Sequence, residues 1–154
     1  MSIFLADEQT EQVGLSDLHS LAELVLLQEG YPQDAEVTLL LVSESEMASY
    51  NARFLDRDQP TDVLAFPVEE LLPGVVPDVD PQGPPLMLGD VVVAPAYVRR
   101  QAEEHGVAFE DEMALMVTHG ILHLLGYDHV DDADAERMED RERALLAMTG
   151  RSRR

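Results

Sequence analysis

The chain lacks cysteine, lysine and tryptophan throughout its 154 residues. Without cysteine no disulfide can form, and a zinc site would have to be built from histidine and carboxylate side chains. No apolar run approaches the roughly 18 residues that a membrane-spanning helix needs, and the acidic start lacks the basic residues of a signal peptide. These absences predict a cytoplasmic protein with no membrane partner.

Basic side chains are scarce, and all of them are arginine. Ten arginines face 31 acidic residues, which gives a formal net charge of −21. This balance argues against broad electrostatic capture of nucleic acid, because phosphate binding normally depends on clusters of basic residues. A local basic patch around a site is still compatible with it. The negative charge by itself favours solubility.

Length and apolar patterning predict one domain, at residues 1–150, with a single core. Apolar and β-branched runs at residues 2–6, 36–42, 63–68 and 86–94 predict four strands, and Pro67 favours an edge position for the third. Apolar residues at 3.6-residue spacing and helix-capping residues predict about five helices. These begin near residues 15, 43, 95, 110 and 131. The fourth is apolar nearly all round, which predicts a central position in the fold.

Two segments are expected to lie outside the regular structure. Residues 67–85 hold six of the nine prolines, which predicts a mobile, Pro-rich surface loop. Residues 151–154 are predicted to form a disordered basic tail. No internal repeats are visible.

The stretch HGILHLLGYDH at residues 119–129 predicts a metal site. His119 and His123 are four residues apart and therefore share one helix face. Gly126 permits the left-handed backbone that ends a helix, so that His129 can return as a third ligand. Three histidines with no fourth protein ligand nearby indicate one catalytic zinc ion whose open position holds water.

An alternative is that these histidines are unrelated polar residues on a core helix. Two of them lie on a strongly apolar helix, however, and leaving buried polar groups unpaired costs about 1–3 kcal/mol each. Metal binding is therefore the favoured interpretation. His19 and His105 have no such partners and are interpreted as surface or structural residues.

The spacing also matches the H-E-x-x-H-x-x-G-x-x-H pattern of metzincin proteases, with one departure. Gly120 stands where those enzymes carry the glutamate general base. A glycine cannot accept a proton, so peptidase chemistry is disfavoured. A zinc ion could still activate its bound water as the nucleophile, or polarise a phosphoryl or carbonyl oxygen.

The histidine motif resembles the signature of the YbeY family of bacterial metallo-endoribonucleases. The segments PTDVLAFP at residues 60–67 and LGDVVV at residues 88–93 resemble two further family motifs, and the acidic helix after His129 is in the expected place. The resemblance covers residues 36–150. It implies a compact α+β domain with a small mixed sheet, and one zinc ion held by His119, His123 and His129.

The same resemblance implies single-strand-specific cleavage of RNA. It further implies maturation of the 3′ end of the small-subunit ribosomal RNA, ribosome quality control, and a ribosome or ribosomal protein as partner. Many family members carry an arginine five residues before the proline of PTDVL, and here that position is Leu55. Arg53 or Arg57 could contact phosphate instead. The catalytic residues stay open, and either a zinc-bound water or the RNA 2′-hydroxyl could be the nucleophile.

Several charged residues have two interpretations. Asp128 could orient an imidazole or cap the following turn. Asp62 and Asp90 could border the site or form turns, and the pair Arg99 and Arg100 could contact phosphate or form a solvated helix face. The acidic run at residues 131–142 is interpreted as a solvated helix, or as a surface for a basic ribosomal protein.

The sequence is compatible with three functions. The first is a zinc-dependent endoribonuclease that acts on ribosomal RNA. The second is a ribosome-associated assembly factor with a structural or weakly catalytic zinc, which the charge of −21 and Leu55 favour. The third, a metal-dependent hydrolase of another substrate, is weakened by Gly120.

Overall fold

The computed structural model describes residues 2–55 and 61–154. Within them, four strands form one mixed sheet in the order β1-β2-β4-β3. Neighbours β1, β2 and β4 run parallel, and β3 pairs antiparallel with β4 at the sheet edge, as Pro67 predicts. The strands are β1 (Ser2–Asp7), β2 (Glu36–Leu41), β3 (Val63–Pro67) and β4 (Met87–Val93).

Five helices accompany the sheet in the described part of the chain. They are α1 (Leu15–Gln28), α2 (Glu44–Leu55), α3 (Pro95–His105), α4 (Phe109–Leu124) and α5 (Asp132–Ala147). Their starts follow local chemistry: Ser43 Oγ accepts the backbone N–H of Glu46 at 3.2 Å before α2, and Asp131 Oδ1 accepts that of Asp134 at 2.8 Å before α5. The expected α+β architecture is confirmed.

The strands bury both faces of the sheet. Val37, Leu39 and Leu41 of β2 point into the main core, which α1, α4 and α5 cover. Val92 of β4 points the other way, into a smaller apolar cluster with Met47 of α2. The chain is thus one compact α+β domain.

Helix α4 occupies the centre of the main core, as its all-round apolar sequence predicts. It packs against the strands β3 and β4 and against the helices α1, α3 and α5. Eleven of its sixteen residues are buried. Its position fixes the histidines near its end relative to the sheet. Across residues 2–55 and 61–154, no helix is long and apolar enough to cross a membrane.

The long connection between β3 and β4 contains the residues predicted to form a mobile, Pro-rich surface loop. Most of its side chains are exposed or half-buried, and Leu72 and Val75 form an isolated β-bridge. Part of it is attached to the body of the protein, because Arg137 of α5 donates to the carbonyl oxygen of Pro73 at 3.1 Å. Leu71 packs against the main core.

The structure differs from the expectation of a disordered tail at residues 151–154. These residues form neither helix nor strand, but their arginines pair with carboxylates of α4 and α5. Arg153 Nε lies 2.8 Å from Glu142 Oε1, and Arg154 Nε lies 2.8 Å from Glu112 Oε1. Both glutamates are buried, and a buried carboxylate requires a cationic partner. The amino-acid composition of residues 151–154 does not show that buried glutamates elsewhere in the chain pair with these arginines.

Candidate metal centre

Three imidazole rings meet at the end of α4 and in the turn that follows it. Each of His119, His123 and His129 offers a ring nitrogen, and these atoms all lie within 4.8 Å of one another. The ring centroids are 4.6 Å apart for His119 and His123, 5.5 Å for His119 and His129, and 5.0 Å for His123 and His129. The structure therefore brings together all three histidines that the sequence predicts as ligands.

Gly126 allows the chain to reverse after α4. Its φ is +100°, which only glycine adopts readily, and a Cβ atom there would lie 2.1 Å from the carbonyl oxygen of Leu71. The backbone N–H groups of Gly126 and Tyr127 close the helix on the carbonyls of His123 and Leu122. The chain then turns so that His129 faces the other two rings.

Gly120 is required by packing. A Cβ atom there would lie 2.5 Å from Val91 Cγ1 and 3.1 Å from Val63 Cγ2. Helix α4 therefore lies close to the sheet at this residue, and a glutamate side chain there would require Val91 to move. The same geometry explains why the glutamate general base of metzincin proteases has no counterpart here.

His119 is oriented by a buried carboxylate of α5. Its Nδ1 lies 2.7 Å from Glu142 Oε2, and the Glu142 side chain is only 1% exposed. Burial alone would raise the pKa of Glu142, but hydrogen bonds from His119 and Arg153 outweigh it and hold the pKa below its ordinary value. An ionised carboxylate only accepts, so Nδ1 of His119 donates this hydrogen bond, which leaves Nε2 as the ring nitrogen available to a metal ion.

His123 binds a proton weakly in the folded protein. Burial, followed by the charges of His119 and His129, lowers its pKa to about 4. Its imidazole is therefore neutral at neutral pH, which is the form that binds metal ions.

The turn between His123 and His129 is attached to the rest of the fold through Tyr127. The Tyr127 hydroxyl donates to Glu29 Oε1 at 2.6 Å, and Arg141 Nε donates to Glu29 Oε2 at 2.6 Å. Burial and the bond to Glu29 raise the pKa of Tyr127 to about 12, so the hydroxyl keeps its proton. This connection from α1 through the turn to α5 limits the movement of His129.

The three histidines open into a cleft of about 1200 Å³ between α4, β3 and the loop that follows β3. Of the arginines that the structure describes, those lining the cleft are Arg153 and Arg154. Each of them is bonded to a buried glutamate. Four further acidic residues line the cleft: Asp62, Glu69, Glu70 and Asp128.

The carboxylates proposed beside the site have different positions. Asp128 Oδ1 accepts the backbone N–H of His129 at 2.7 Å. Of the two roles considered for Asp128, this contact corresponds to capping the turn and not to orienting an imidazole. Asp62 lines the cleft, and its Oδ1 accepts the N–H of Val63 at 2.7 Å. Asp90 is exposed on β4 and does not line the cleft.

The arginines proposed as phosphate contacts lie outside the cleft wherever they are described. Arg53 is exposed and lies over the Tyr50 and Phe54 rings, and Arg57 falls outside the described residues. The other two are paired on the surface: Arg99 with Glu11 at 2.8 Å, and Arg100 with Glu44.

The two remaining histidines take no part in the cluster. His19 Nδ1 lies 2.7 Å from Glu23 Oε1 on α1, and His105 is exposed at the end of α3. Both positions agree with the surface or structural role that the sequence predicts for them.

Sequence reasoning missed Glu142, because it treated residues 131–142 as a solvated acidic helix. That interpretation is wrong for this residue, which is fully buried. A signal was present: Met138, Glu142 and Leu145 follow one another at helical spacing, and Met138 and Leu145 are both buried. A glutamate within an apolar stripe indicates a partner that lies elsewhere in the chain.

The donor set fits a divalent ion that prefers nitrogen ligands. Three imidazoles face one another, one of them is bonded to a carboxylate through its other ring nitrogen, and one is neutral because of its low pKa. Carboxylate–histidine pairs of this kind orient the ligands of zinc sites. The three-histidine group could therefore bind a metal ion.

An α+β domain with three converging histidines above its sheet defines a class of candidate metalloenzyme, and comparison with known proteins identifies the family. The family model described as Endoribonuclease YbeY matches residues 4–150. A curated relative with the same name from Acidothermus cellulolyticus is 45% identical, over 89% of this chain and 84% of the relative. Another, from Mycobacterium sp. (strain KMS), is 40% identical, over 95% of this chain and 82% of the relative. The chain belongs to the endoribonuclease YbeY family.

A solved structure supports the fold assignment. The solution structure of a protein from Thermotoga maritima is 30% identical in sequence and superimposes with a TM-score of 0.62. The match covers 96% of this chain and 91% of that protein. The expected resemblance to the YbeY family is thereby confirmed in sequence and in fold.

Proposed function

We propose that this protein is a zinc-dependent endoribonuclease that cleaves single-stranded RNA. The observation that carries the proposal is the convergence of His119, His123 and His129 on an open cleft, in a chain of the endoribonuclease YbeY family. Relatives at 38–45% identity are named as endoribonucleases. An open three-histidine site with space beside it is typical of a catalytic metal site, since structural zinc sites are closed by four protein ligands.

The three histidines would hold the metal ion, and Glu142 would keep His119 turned toward it. A bound zinc ion would supply Lewis-acid chemistry, polarising a phosphoryl oxygen or lowering the pKa of a water molecule. Gly120 and Val91 set the distance between α4 and the sheet, so that the imidazoles lie at the bottom of the cleft.

The charge of the cleft supports a requirement for the metal. Arg153 and Arg154 are already paired with glutamates, and Asp62, Glu69 and Glu70 line the same cleft. RNA phosphates would be repelled by these carboxylates. A divalent ion on the histidines would add positive charge where the phosphodiester must lie.

The wider role proposed for the protein follows the family resemblance. We place its activity in the processing of ribosomal RNA, at the 3′ end of the small-subunit RNA, and in ribosome quality control. The partner would then be the ribosome or one of its proteins. A location in the cytoplasm stays a prediction from the sequence.

Cleavage of RNA by matched histidine variants tests the proposal. The zinc-loaded protein is incubated with a single-stranded RNA and with the same RNA in a duplex, beside a His119→Ala/His123→Ala variant. Metal catalysis contributes several kcal/mol to such reactions, so cleavage of the single strand should fall by about 100-fold or more. The His19→Ala/His105→Ala variant loses two histidines outside the cleft and should cleave like the parent. Cleavage that survives the first double substitution, or a zinc-loaded parent without activity, would refute the proposal.

A further inference from the structure

Two arginines at the end of the described chain pair with buried glutamates beside the three histidines. Arg153 and Arg154 are adjacent in the chain, and each donates to a glutamate whose side chain is only 1% exposed. Arg153 pairs with Glu142 of α5, and Arg154 pairs with Glu112 of α4. The two pairs have the same chemistry and their glutamates are equally buried, but they differ in what else the glutamate contacts.

Glu142 uses its two oxygens for two different partners. Oε1 accepts from Arg153 Nε at 2.8 Å, and Oε2 lies 2.7 Å from His119 Nδ1. One carboxylate thus connects the guanidinium of Arg153 to the imidazole of His119. The described hydrogen bonds of Glu112 go instead to Gln101 and to Arg154.

A buried carboxylate is stable in one orientation only when both oxygens have partners. Removing one partner of a buried ion pair is strongly destabilising, because an uncompensated charge is left in a medium of low dielectric constant. Without Arg153, Oε1 of Glu142 would lose its cation, and the carboxylate could rotate toward any other donor. His119 would then lose the acceptor that fixes the plane of its ring.

We propose that Arg153 is a positioning residue of the metal centre. It holds Glu142 in the orientation that keeps His119 Nδ1 bonded and directs His119 Nε2 toward the other two histidines. This inference rests on the metal site of the proposed function. It adds to that site a residue that lies 24 positions after His129 in the sequence.

The test compares two neighbouring arginines. Zn²⁺ affinity is measured by competition with a chromophoric chelator for the parent, Arg153→Gln and Arg154→Gln. Loss of the groups that orient metal ligands typically weakens metal binding by about 10–100-fold, so we expect at least about a tenfold loss for Arg153→Gln. Arg154→Gln removes an equally buried ion pair that does not contact a histidine, and its affinity should stay within about threefold of the parent.

Two further measurements separate positioning from general loss of structure. The absorption spectrum of the Co²⁺-loaded protein reports ligand geometry, and it should change in Arg153→Gln but not in Arg154→Gln. Arg153→Lys keeps the cation and should recover most of the affinity. If Arg153→Gln does not fold in buffer, the parent and both glutamine variants are compared in trimethylamine oxide, which favours the folded state.

Equal affinity losses in the two glutamine variants, or no loss in Arg153→Gln, would overturn the inference. A parent that binds no Zn²⁺ would instead refute the metal site of the proposed function, so the two failures can be distinguished.

Discussion

At the scale of single residues, His119 shows how the fold orients a side chain that we propose as a metal ligand. Its Nδ1 is bonded to a fully buried carboxylate, and its ring lies 4.6 Å from that of His123. The carboxylate holds the ring in place through Nδ1, so Nε2 is the nitrogen left for a metal ion. Less side-chain freedom is then lost when the ion binds.

Gly120, next to His119, sets the distance between helix and sheet. We expect Gly120→Ala to lower the free energy of unfolding by about 1–2 kcal/mol. Overpacking against Val91 Cγ1, 2.5 Å from the new Cβ atom, costs about 1–3 kcal/mol, and the higher helix propensity of alanine offsets up to about 1 kcal/mol. Urea unfolding of the metal-free protein measures the difference.

The Val91→Ala background is the control for this prediction. Removing the valine methyl groups removes the nearest clash, so Gly120→Ala should be neutral or stabilising there. An equal loss in both backgrounds would mean that the helix does not approach the sheet at Gly120 as closely as the structure shows.

At the scale of elements, the end of α4 and the turn after it determine where His129 lies. Gly126 reverses the chain against Leu71, and Tyr127 attaches the turn to Glu29, the residue that directly follows α1. The metal centre therefore depends on the loop that follows β3 as well as on the helix itself.

We expect Gly126→Ala to cost more than about 3 kcal/mol in the free energy of unfolding. Alanine is strained at a φ of +100°, and its Cβ atom would lie 2.1 Å from the carbonyl oxygen of Leu71, a backbone atom that cannot rotate away. Gly150→Ala is the matched control, because its φ is +76° and nothing lies within 4 Å of the added Cβ. It should cost only about 1 kcal/mol. Similar losses for the two variants in thermal or urea unfolding would show that Leu71 does not pack on the turn.

Local patterns predicted much of this element-level structure. The i, i+4 spacing of His119 and His123 places them on one helix face, and Gly126 marks the end of that helix, so their convergence with His129 follows from neighbours in sequence. The four strands and the edge position of β3 were also predicted from local patterns, namely short apolar runs and Pro67.

The contacts that orient the histidines could not be predicted in this way. His119 and Glu142 are 23 residues apart, and Tyr127 and Glu29 are 98 residues apart. Only the tertiary packing of α5 against α4 brings Glu142 to the site. The sequence analysis placed Arg153 in a disordered tail. Its ion pair with Glu142 depends on the burial of that glutamate, and the composition of the chain does not show which glutamates are buried.

At the scale of the whole molecule, the net charge of −21 sets the conditions under which RNA can bind. Most of the molecular surface repels phosphate, and the arginines that line the cleft in the described residues are already ion-paired. Attraction must therefore be concentrated at the metal centre, and few phosphates can be contacted at once.

This concentration predicts a weak dependence of RNA cleavage on salt. Each neutralised phosphate contributes about −0.7 to the slope of log affinity against log salt for single strands, so two or three contacts give a slope of about −1.4 to −2.1. The slope is measured as kcat/KM against KCl concentration at constant zinc. A steeper slope would indicate an extended basic surface and would contradict the charge distribution described above.

The central claim is that His119, His123 and His129 together hold one metal ion. Elemental analysis of the purified protein after dialysis against a zinc buffer measures it directly. We expect about one zinc ion per chain in the parent and in His19→Ala/His105→Ala, and none in His119→Ala/His123→Ala. A folded parent without zinc, or a His119→Ala/His123→Ala variant that retains a full equivalent, would contradict it.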